Sequence, residues 1–333
     1  LDINSYKSSK YFDGYNLTAA YQFIEEDRIT RKFQSAEYNN TYIDVHVASL
    51  NLDFTLGKLA YGLELTNNNV SSTATEGTQT RYPSGGSTLT TAALYGSYKK
   101  EVNEFLVWNA GARYSQVFGE MFFNESDPVF VTDYIKFNNG ALTGNVNLIY
   151  KPRNKWKFDW VASSGFRNPN IDDYGKVFVK KGNMVIPNPD LTPEYAYNGE
   201  MSITKKWEGL QVTSNLYYTY LKDVIVKQDL GYSQIHEYEE VNVQTLMNSP
   251  EAYIYGWSLG TKTKLLPWLT TENSYTWQLG YDVTNDEPLG HIPPAFGKSL
   301  FKIEGLSLPT NPKSSALAAM SVVAEIKKFL DLE

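Results

Sequence analysis

Apolar and polar residues alternate singly along most of this chain. The stretch "NSYTWQLGY" sets Tyr275, Trp277, Leu279 and Tyr281 on one side and Ser274, Thr276, Gln278 and Gly280 on the other. "WKFDWVASSGF" repeats the pattern with Trp156, Phe158, Trp160, Ala162 and Phe166 against Lys157, Asp159 and Ser163. "FLVWNAGARYS" and "AYIYGWSLG" do the same through Leu106, Trp108 and Tyr114, and through Tyr253, Tyr255, Trp257 and Leu259. A period of two is the signature of strands with one apolar and one polar face. It predicts strands near 15–23, 42–55, 58–66, 89–99, 104–116, 141–151, 155–166, 195–206, 209–221, 252–264, 268–282 and 296–304.

The links between these strands are predicted to alternate in length. "TLGK", "KEVN", "KPRNK", "KWEG" and "LPW" are short, whereas those near 24–41, 67–88, 117–140, 167–194, 222–251 and 283–295 are long. This sorting predicts an up-and-down meander with its tight turns at one end and its loops at the other, as in transmembrane barrels. A Greek-key sandwich does not sort its connections in this way. The predicted strands also reach the roughly 9–11 residues that cross a bilayer on a tilt. Aromatic residues near their ends, such as Tyr15 and Phe23, fit interfacial girdles. The expected fold is therefore all-β: an antiparallel, up-and-down transmembrane β-barrel, of which about a dozen strands are present.

Composition narrows the reading further. The 333 residues carry a formal net charge of −7, no cysteine, three histidines and 25 tyrosines. No apolar run approaches the ~18 residues of a membrane-spanning helix. Disulfides and thiolate metal sites are excluded by the lack of cysteine, and the acidic balance without a basic stripe argues against nucleic acid as a partner. His46, His236 and His291 are far apart in sequence and do not form a zinc-binding spacing, so no metal site is expected. The carboxylates Asp172–Asp173 and Glu237–Tyr238–Glu239–Glu240 read as solvated loop residues rather than a Ca²⁺ site. "GHIPPAFGKS" has the wrong glycine spacing for a phosphate loop. No nucleophile motif appears, so no catalytic residues and no cofactor are assigned.

The long link after Phe166 is bounded by two asparagine–proline clusters, in "GFRNPNIDDYGKVF" and "VIPNPDLTPEYAYNGE". Proline fixes φ and pushes the preceding residue to extended geometry, and Asn168 and Asn188 can bond nearby backbone, so both clusters make rigid corners. With the later stretches "HIPPAFGKSLF" and "QTLMNSPEAYIYGWSLG", these segments resemble the barrel of TonB-dependent outer-membrane receptors, close to the form found in Bacteroidetes, over roughly residues 1–305. The family carries an FRAP box and an NPNL box at this place. Phe166, Arg167 and Pro169 fall on the first, and Asn188, Pro189 and Leu191 on the second. Asn168 replaces the alanine and Asp190 the second asparagine.

The resemblance implies an outer-membrane receptor that binds a scarce nutrient at its extracellular loops. Import would be driven by the TonB complex acting on a plug domain. The ligand class is a ferric siderophore, cobalamin or similar. The haem-importing branch places a histidine between the two boxes, but the interval "NIDDYGKVFVKKGNMVIP" has none, and Met184 there reads as a packing residue. The loop bounded by the boxes is the expected ligand platform, with Arg167, Tyr174, Lys176, Lys180 and Lys181 as candidate ligand-facing groups. The acidic loops near 117–140 and 222–251 pull the charge argument the other way.

Barrels of this family have about 22 strands around a plugged lumen. Residues 1–308 are therefore expected to be a portion of such a barrel, with the plug missing from the chain. From 309 to 333 the period of two is lost, and Leu317, Met320, Val323, Ala324 and Ile326 recur at helical spacing, so this tail is expected to be helical or foreign to the barrel. Two other classes stay open: a passive outer-membrane channel, and a soluble all-β glycan-binding protein or glycosidase, in which the aromatics would converge in one cleft.

Overall fold

The computed structural model describes residues 1–6, 8–31, 33–75, 80, 82–124, 132–175, 178–236, 239–284, 286–290, 292–303 and 319–322. It is a single sheet. Its strands are β1 (Asp2–Ser5), β2 (Gly14–Thr30), β3 (Asn39–Leu56), β4 (Leu59–Ala74), β5 (Ser87–Glu101), β6 (Leu106–Phe122), β7 (Tyr134–Tyr150) and β8 (Trp156–Arg167). After the short helix α1 (Ile171–Gly175) come β9 (Phe178–Lys180), β10 (Asn183–Ile186), β11 (Glu194–Lys206), β12 (Leu210–His236), β13 (Glu239–Leu266), β14 (Leu269–Asp282), β15 (Glu287–Pro288), β16 (Phe296–Ile303) and β17 (Ala319–Val322).

The long strands run as an antiparallel meander from β2 to β8, on through β11 to β14, and then to β16. Each of the twelve strands expected from the alternation is present. Their far ends differ. Where loops were expected near 24–41, 67–88, 117–140 and 222–251, the ladders continue. β12 and β13 reach 27 and 28 residues, and the link at 222–251 is a two-stranded ribbon instead of a loop. Val224, Val226, Val241 and Val243 keep the β-branched alternation there, and such residues favour extended backbone whether or not lipid surrounds them. The strict alternation of short and long links therefore fails at this hairpin.

Register aligns the two faces across the sheet. Leu94 lies opposite Tyr114, Tyr114 opposite Leu142, Leu148 opposite Trp160, Trp160 opposite Met201, Leu216 opposite Trp257 and Trp257 opposite Trp277. This face is apolar, with Leu94, Leu142, Val146, Leu216 and Leu279 well exposed. The opposite face is polar and internally bonded. Arg113 pairs with Glu64 at 3.1 Å, Tyr217 donates to Gln278 at 2.7 Å, Tyr95 bonds Asp53, and Lys262 and Lys302 flank Glu272 at 2.7 and 2.8 Å. The aromatics are spread along the apolar face rather than gathered in one cleft, which is the arrangement of a lipid-facing wall and not of a sugar site. Among the described residues no ladder joins β1 or β2 to β16 or β17, so the sheet is an open wall. An open edge in hydrocarbon leaves backbone groups unpaired, and such a wall is complete only when further strands join it.

Two local departures matter. β7 and β8 pair only where Asn145–Tyr150 face Ser163–Phe158; beyond that point the strands diverge, and the Gly144 amide donates to the Ser164 hydroxyl at 3.0 Å. The resulting fork is where the link between the two boxes packs. In the tail, Ala319–Val322 form a strand on the edge of β16, in place of the helical spacing expected at Met320; an exposed strand edge offers ready ladder partners. Leu317, Val323, Ala324 and Ile326 lie outside the described residues, as do Glu237, Tyr238 and His291.

A charge placed on the apolar face distinguishes a lipid-facing wall from a soluble sheet. Val146 sits on the apolar face four residues from the strand end at Tyr150 and is 53% exposed. In a soluble sheet, Val146→Arg would change little; in a bilayer it is expected to cost about 2–4 kcal/mol. Denaturant unfolding in lipid vesicles reads the difference, with Asn145→Arg on the polar face as the tolerated control.

Candidate functional site

The two boxes meet because β8 and β11 are ladder neighbours. Arg167, the last residue of β8, is opposite Glu194, the first of β11, and Phe166 is opposite Tyr195. The Arg167 guanidinium grips Glu194 with two bonds, Nε to Oε2 at 2.6 Å and Nη2 to Oε1 at 3.0 Å, and gives Nη1 to Asp173 at 2.5 Å. Glu194 also accepts the Ile225 amide at 2.5 Å, so one carboxylate ties the first box to β12. The hydrogen bonds to Glu194, followed by the nearby charges of Asp173 and Glu194, push the guanidinium further toward its charged form despite partial burial. Its side chain is 45% exposed, so the pairing energy is modest; the two-pronged geometry serves mainly to fix the corner.

α1 begins with a reciprocal cap. The Asn170 side chain accepts the Asp173 amide at 2.9 Å, and the Asp173 carboxylate accepts the Asn170 amide at 2.9 Å. The turn delivers Tyr174 into the fork, where it is wholly buried. Its ring stacks on Phe137 at 4.1 Å, its hydroxyl donates to the Leu191 carbonyl at 2.7 Å, and it accepts from Asn139 at 3.1 Å. Asn139 also donates to Asn168 at 2.8 Å, so the amide standing where the family has alanine is used in the fork. Pro169 and Leu191 are buried in the same packing, with Ile43, Val70, Val117, Met121, Ile135 and Met184. Two glycines permit this approach. A Cβ on Gly119 would lie 2.0 Å from the Phe137 ring, and one on Gly175 would lie 2.7 Å from Pro83.

The rest of the link is a graft onto β13. β10 pairs with it in parallel, from Asn183 opposite Asn242 to Ile186 opposite Thr245. Asn188 donates to the Leu246 carbonyl at 2.7 Å, and its oxygen accepts the Asp190 amide at 2.9 Å, which turns the chain. Asn248 then bonds both backbone groups of Thr192, each at 2.9 Å. A cleft of about 540 Å³ opens here, lined by Asn188, Asp190, Thr192, Thr245, Met247 and Asn248. Pro189 and Asp190 are exposed on its rim.

The five residues expected to face a ligand therefore separate. Tyr174 does not face solvent, because its ring and hydroxyl are consumed in closing the fork. Arg167 is half-exposed and engaged in the clasp. Lys181 is exposed at the tip of the β9–β10 hairpin, where Lys181 and Gly182 both take positive φ (52° and 73°) in a tight turn. Lys180 pairs with Asn183 through its backbone, but its side chain and the whole of Lys176 lie outside the described residues. Met184 is buried, as its packing role requires. His46 bonds the Tyr21 hydroxyl at 2.7 Å and stacks on Phe23, away from the link; the His236 side chain is outside the described residues. Sequence reading missed Asn139, Glu194 and Asn248. Only Glu194 carried a signal, standing three residues after the second box.

The family described as TonB dependent receptor-like, beta-barrel matches residues 1–316. The hemoglobin and hemoglobin-haptoglobin-binding protein A of Haemophilus influenzae is 27% identical over 152 residues, which is 43% of this chain and 14% of that protein. Among solved structures, the copper transporter OprC superposes with a TM-score of 0.71 at 12% identity, over 89% of this chain and 50% of that one. The Pseudomonas aeruginosa ferric enterobactin receptor PfeA gives 0.69 at 14% identity, over 90% and 46%. The Serratia marcescens hemophore receptor HasR, solved with its hemophore HasA and heme, gives 0.69 at 12%, over 92% and 55%. The chain thus spans about half the length of these structures and a small part of the curated relative.

The Tyr174 anchor makes a prediction with a defined sign. Burial raises the hydroxyl above its ordinary value near 10, and the charge of Asp173 adds to the rise while the Asn139 bond opposes it. A raised tyrosine pKa stabilises the anchored state below about pH 10 and loses that contribution as pH climbs through the folded value. Tyr174→Phe is expected to loosen the link by about 1–3 kcal/mol, the usual cost of leaving buried partners unpaired. Limited proteolysis within 168–193 should be faster for the variant at neutral pH. The wild type alone should show further acceleration above about pH 10.

Proposed function

The chain belongs to the TonB-dependent receptor β-barrel family, which sets it in the outer membrane of a Gram-negative bacterium, and from that premise we propose that it is wall and ligand platform of a receptor for an iron-carrying nutrient. The nutrient is captured at the long-loop end and imported when the TonB complex acts through a plug. The observation that carries this reading is the built link between the boxes. Its ends are clasped by Arg167 and Glu194, its middle is a third strand on β13, its hairpin tip exposes Lys181, and a cleft opens beside the second box. A rigid platform presenting a cation loses little entropy on binding.

The names of the similar proteins favour iron. They include a ferric enterobactin receptor, the FrpB iron transporter of Neisseria meningitidis and a hemophore receptor, with a copper transporter beside them. Within that range the lysine tip suits an anionic ferric siderophore, and the lack of histidine between the boxes disfavours haem captured through such a ligand. Binding and release require no bond chemistry, so specificity comes from loop and lumen side chains, and no residue is assigned a catalytic role.

Ligand binding to the intact receptor in detergent tests this reading. A ferric siderophore is expected to quench intrinsic fluorescence saturably, and the Lys180→Glu/Lys181→Glu pair to weaken it by about tenfold at low salt, because opposite charges near the surface are weakly screened there. Tighter binding of haemin than of any ferric siderophore, unaffected by the pair, would overturn the ligand class. Uptake that persists in cells lacking the TonB complex would favour a passive channel instead.

A further inference from the structure

Four cations gather at one corner of the rim at the short-link end. β8 and β11 end there side by side, Trp156 opposite Lys205 on the apolar face. The Lys205 ammonium lies 4.7 Å from the Trp156 ring centre and 5.6 Å from that of Trp207, and donates to the Asn154 carbonyl at 2.5 Å. Asn154 and Lys155 both have positive φ (69° and 60°), a tight turn, and the Lys155 carbonyl accepts the Lys206 amide at 3.1 Å. The turn therefore holds Arg153 and Lys155 beside Lys205 and Lys206. Some rim lysines have carboxylate partners: Lys99 reaches Glu101 at 3.4 Å, Lys157 reaches Asp159 at 2.7 Å, and Lys262 and Lys302 share Glu272. Among the described residues, Arg153, Lys155, Lys205 and Lys206 have none.

Several like charges held together with no carboxylate bonded to them repel one another unless an anion joins them, and Glu208 in the turn after Lys206 makes no ion pair with them. Trp156 and Trp207 are 38% and 49% exposed on the apolar face, the position of indoles at the headgroup level of a bilayer. A second feature lies farther up the same strands. About six residues from the rim, roughly 20 Å at the rise of a strand, Gly96, Ala110, Ala112, Gly144, Ala162 and Gly199 leave an apolar depression of about 900 Å³. Cations at headgroup depth and a chain-wide depression in the hydrocarbon zone, on one stretch of wall, match the two ends of a single lipid.

We propose that this corner is a binding site for an anionic phospholipid of the leaflet at the short-turn end, its phosphate held by Arg153, Lys155 and Lys205 and one acyl chain seated in the small-residue depression. The indoles flank the glycerol region and keep Lys205 from folding back toward the hydrocarbon.

Native mass spectrometry of the intact receptor, with phosphatidylglycerol or phosphatidylcholine of identical chains added in neutral detergent, tests the site. The wild type is expected to retain phosphatidylglycerol over phosphatidylcholine by about tenfold, in keeping with several cations at a membrane surface. The Arg153→Gln/Lys155→Gln/Lys205→Gln variant should fall to near parity while keeping heat-modifiable mobility. Arg153→Lys/Lys155→Arg/Lys205→Arg, which keeps the charges, should hold the preference, as should Lys180→Gln/Lys181→Gln at the opposite end. Equal retention of both lipids by the wild type would overturn the proposal. So would an undiminished preference in the first variant, loss in the charge-keeping variant, equal loss from the distant pair, or selective retention of lipopolysaccharide in place of phosphatidylglycerol.

Discussion

Everything in this structure depends on pairing the backbone. In hydrocarbon an unpaired amide or carbonyl costs several kcal/mol, because no water is present to replace the missing partner. Between its two open edges the chain meets that demand with an antiparallel ladder from β2 to β16, which narrows only where β7 and β8 part. The strand period of two then sorts side chains without further instruction, Leu142 and Trp160 outward and Glu64 and Arg113 inward. The polar face is held by ion pairs and amide bonds that suit a wet or protein-filled lumen and would be costly against lipid.

The functional end is built where that ladder is interrupted. β7 and β8 part above Asn145 and Ser163, and the exposed strand edges and apolar side chains of the fork need cover. The link between the boxes supplies it from its own sequence: Tyr174 and Leu191 fill the space, Asn139 and Asn168 join across it, and β10 adds a strand to β13. The prolines and asparagines at its two ends are thus structural first. They fix a platform on which a few exposed groups, Lys181 among them, stand at set positions. The basic corner and the acidic ribbon of β12 and β13 lie at opposite ends of the same strands, so the wall is also electrically polarised along the membrane normal.

Much of the wall was legible in the sequence because lipid enforces strict alternation, and "NSYTWQLGY" or "WKFDWVASSGF" can satisfy it in only one way. The strand ends were not legible. Outside the bilayer, residues such as Val224, Val226, Val241 and Val243 still favour extended backbone, but the polar residues among them, such as Asp229 and Glu240, read as loop. The boxes were found by type and place, and their meeting follows from β8 and β11 being neighbours. The burial of Tyr174 was not legible, since a tyrosine in a polar loop gives no sign of the Phe137 ring that awaits it from another strand. Asn139 and Asn248 were invisible for the same reason: each acts on a residue about 30 or more positions away, and no local pattern encodes such a bond.

Which face meets lipid decides the whole arrangement. Single-tryptophan forms of the intact receptor, reconstituted in vesicles whose acyl chains carry bromine at defined depths, measure this directly. Trp160 is expected to be quenched most by bromine near the bilayer centre and little by aqueous acrylamide, while Trp207 is quenched most by bromine close to the headgroups. Strong acrylamide quenching of Trp160 with no response to brominated chains would place the apolar face in water and contradict the membrane wall.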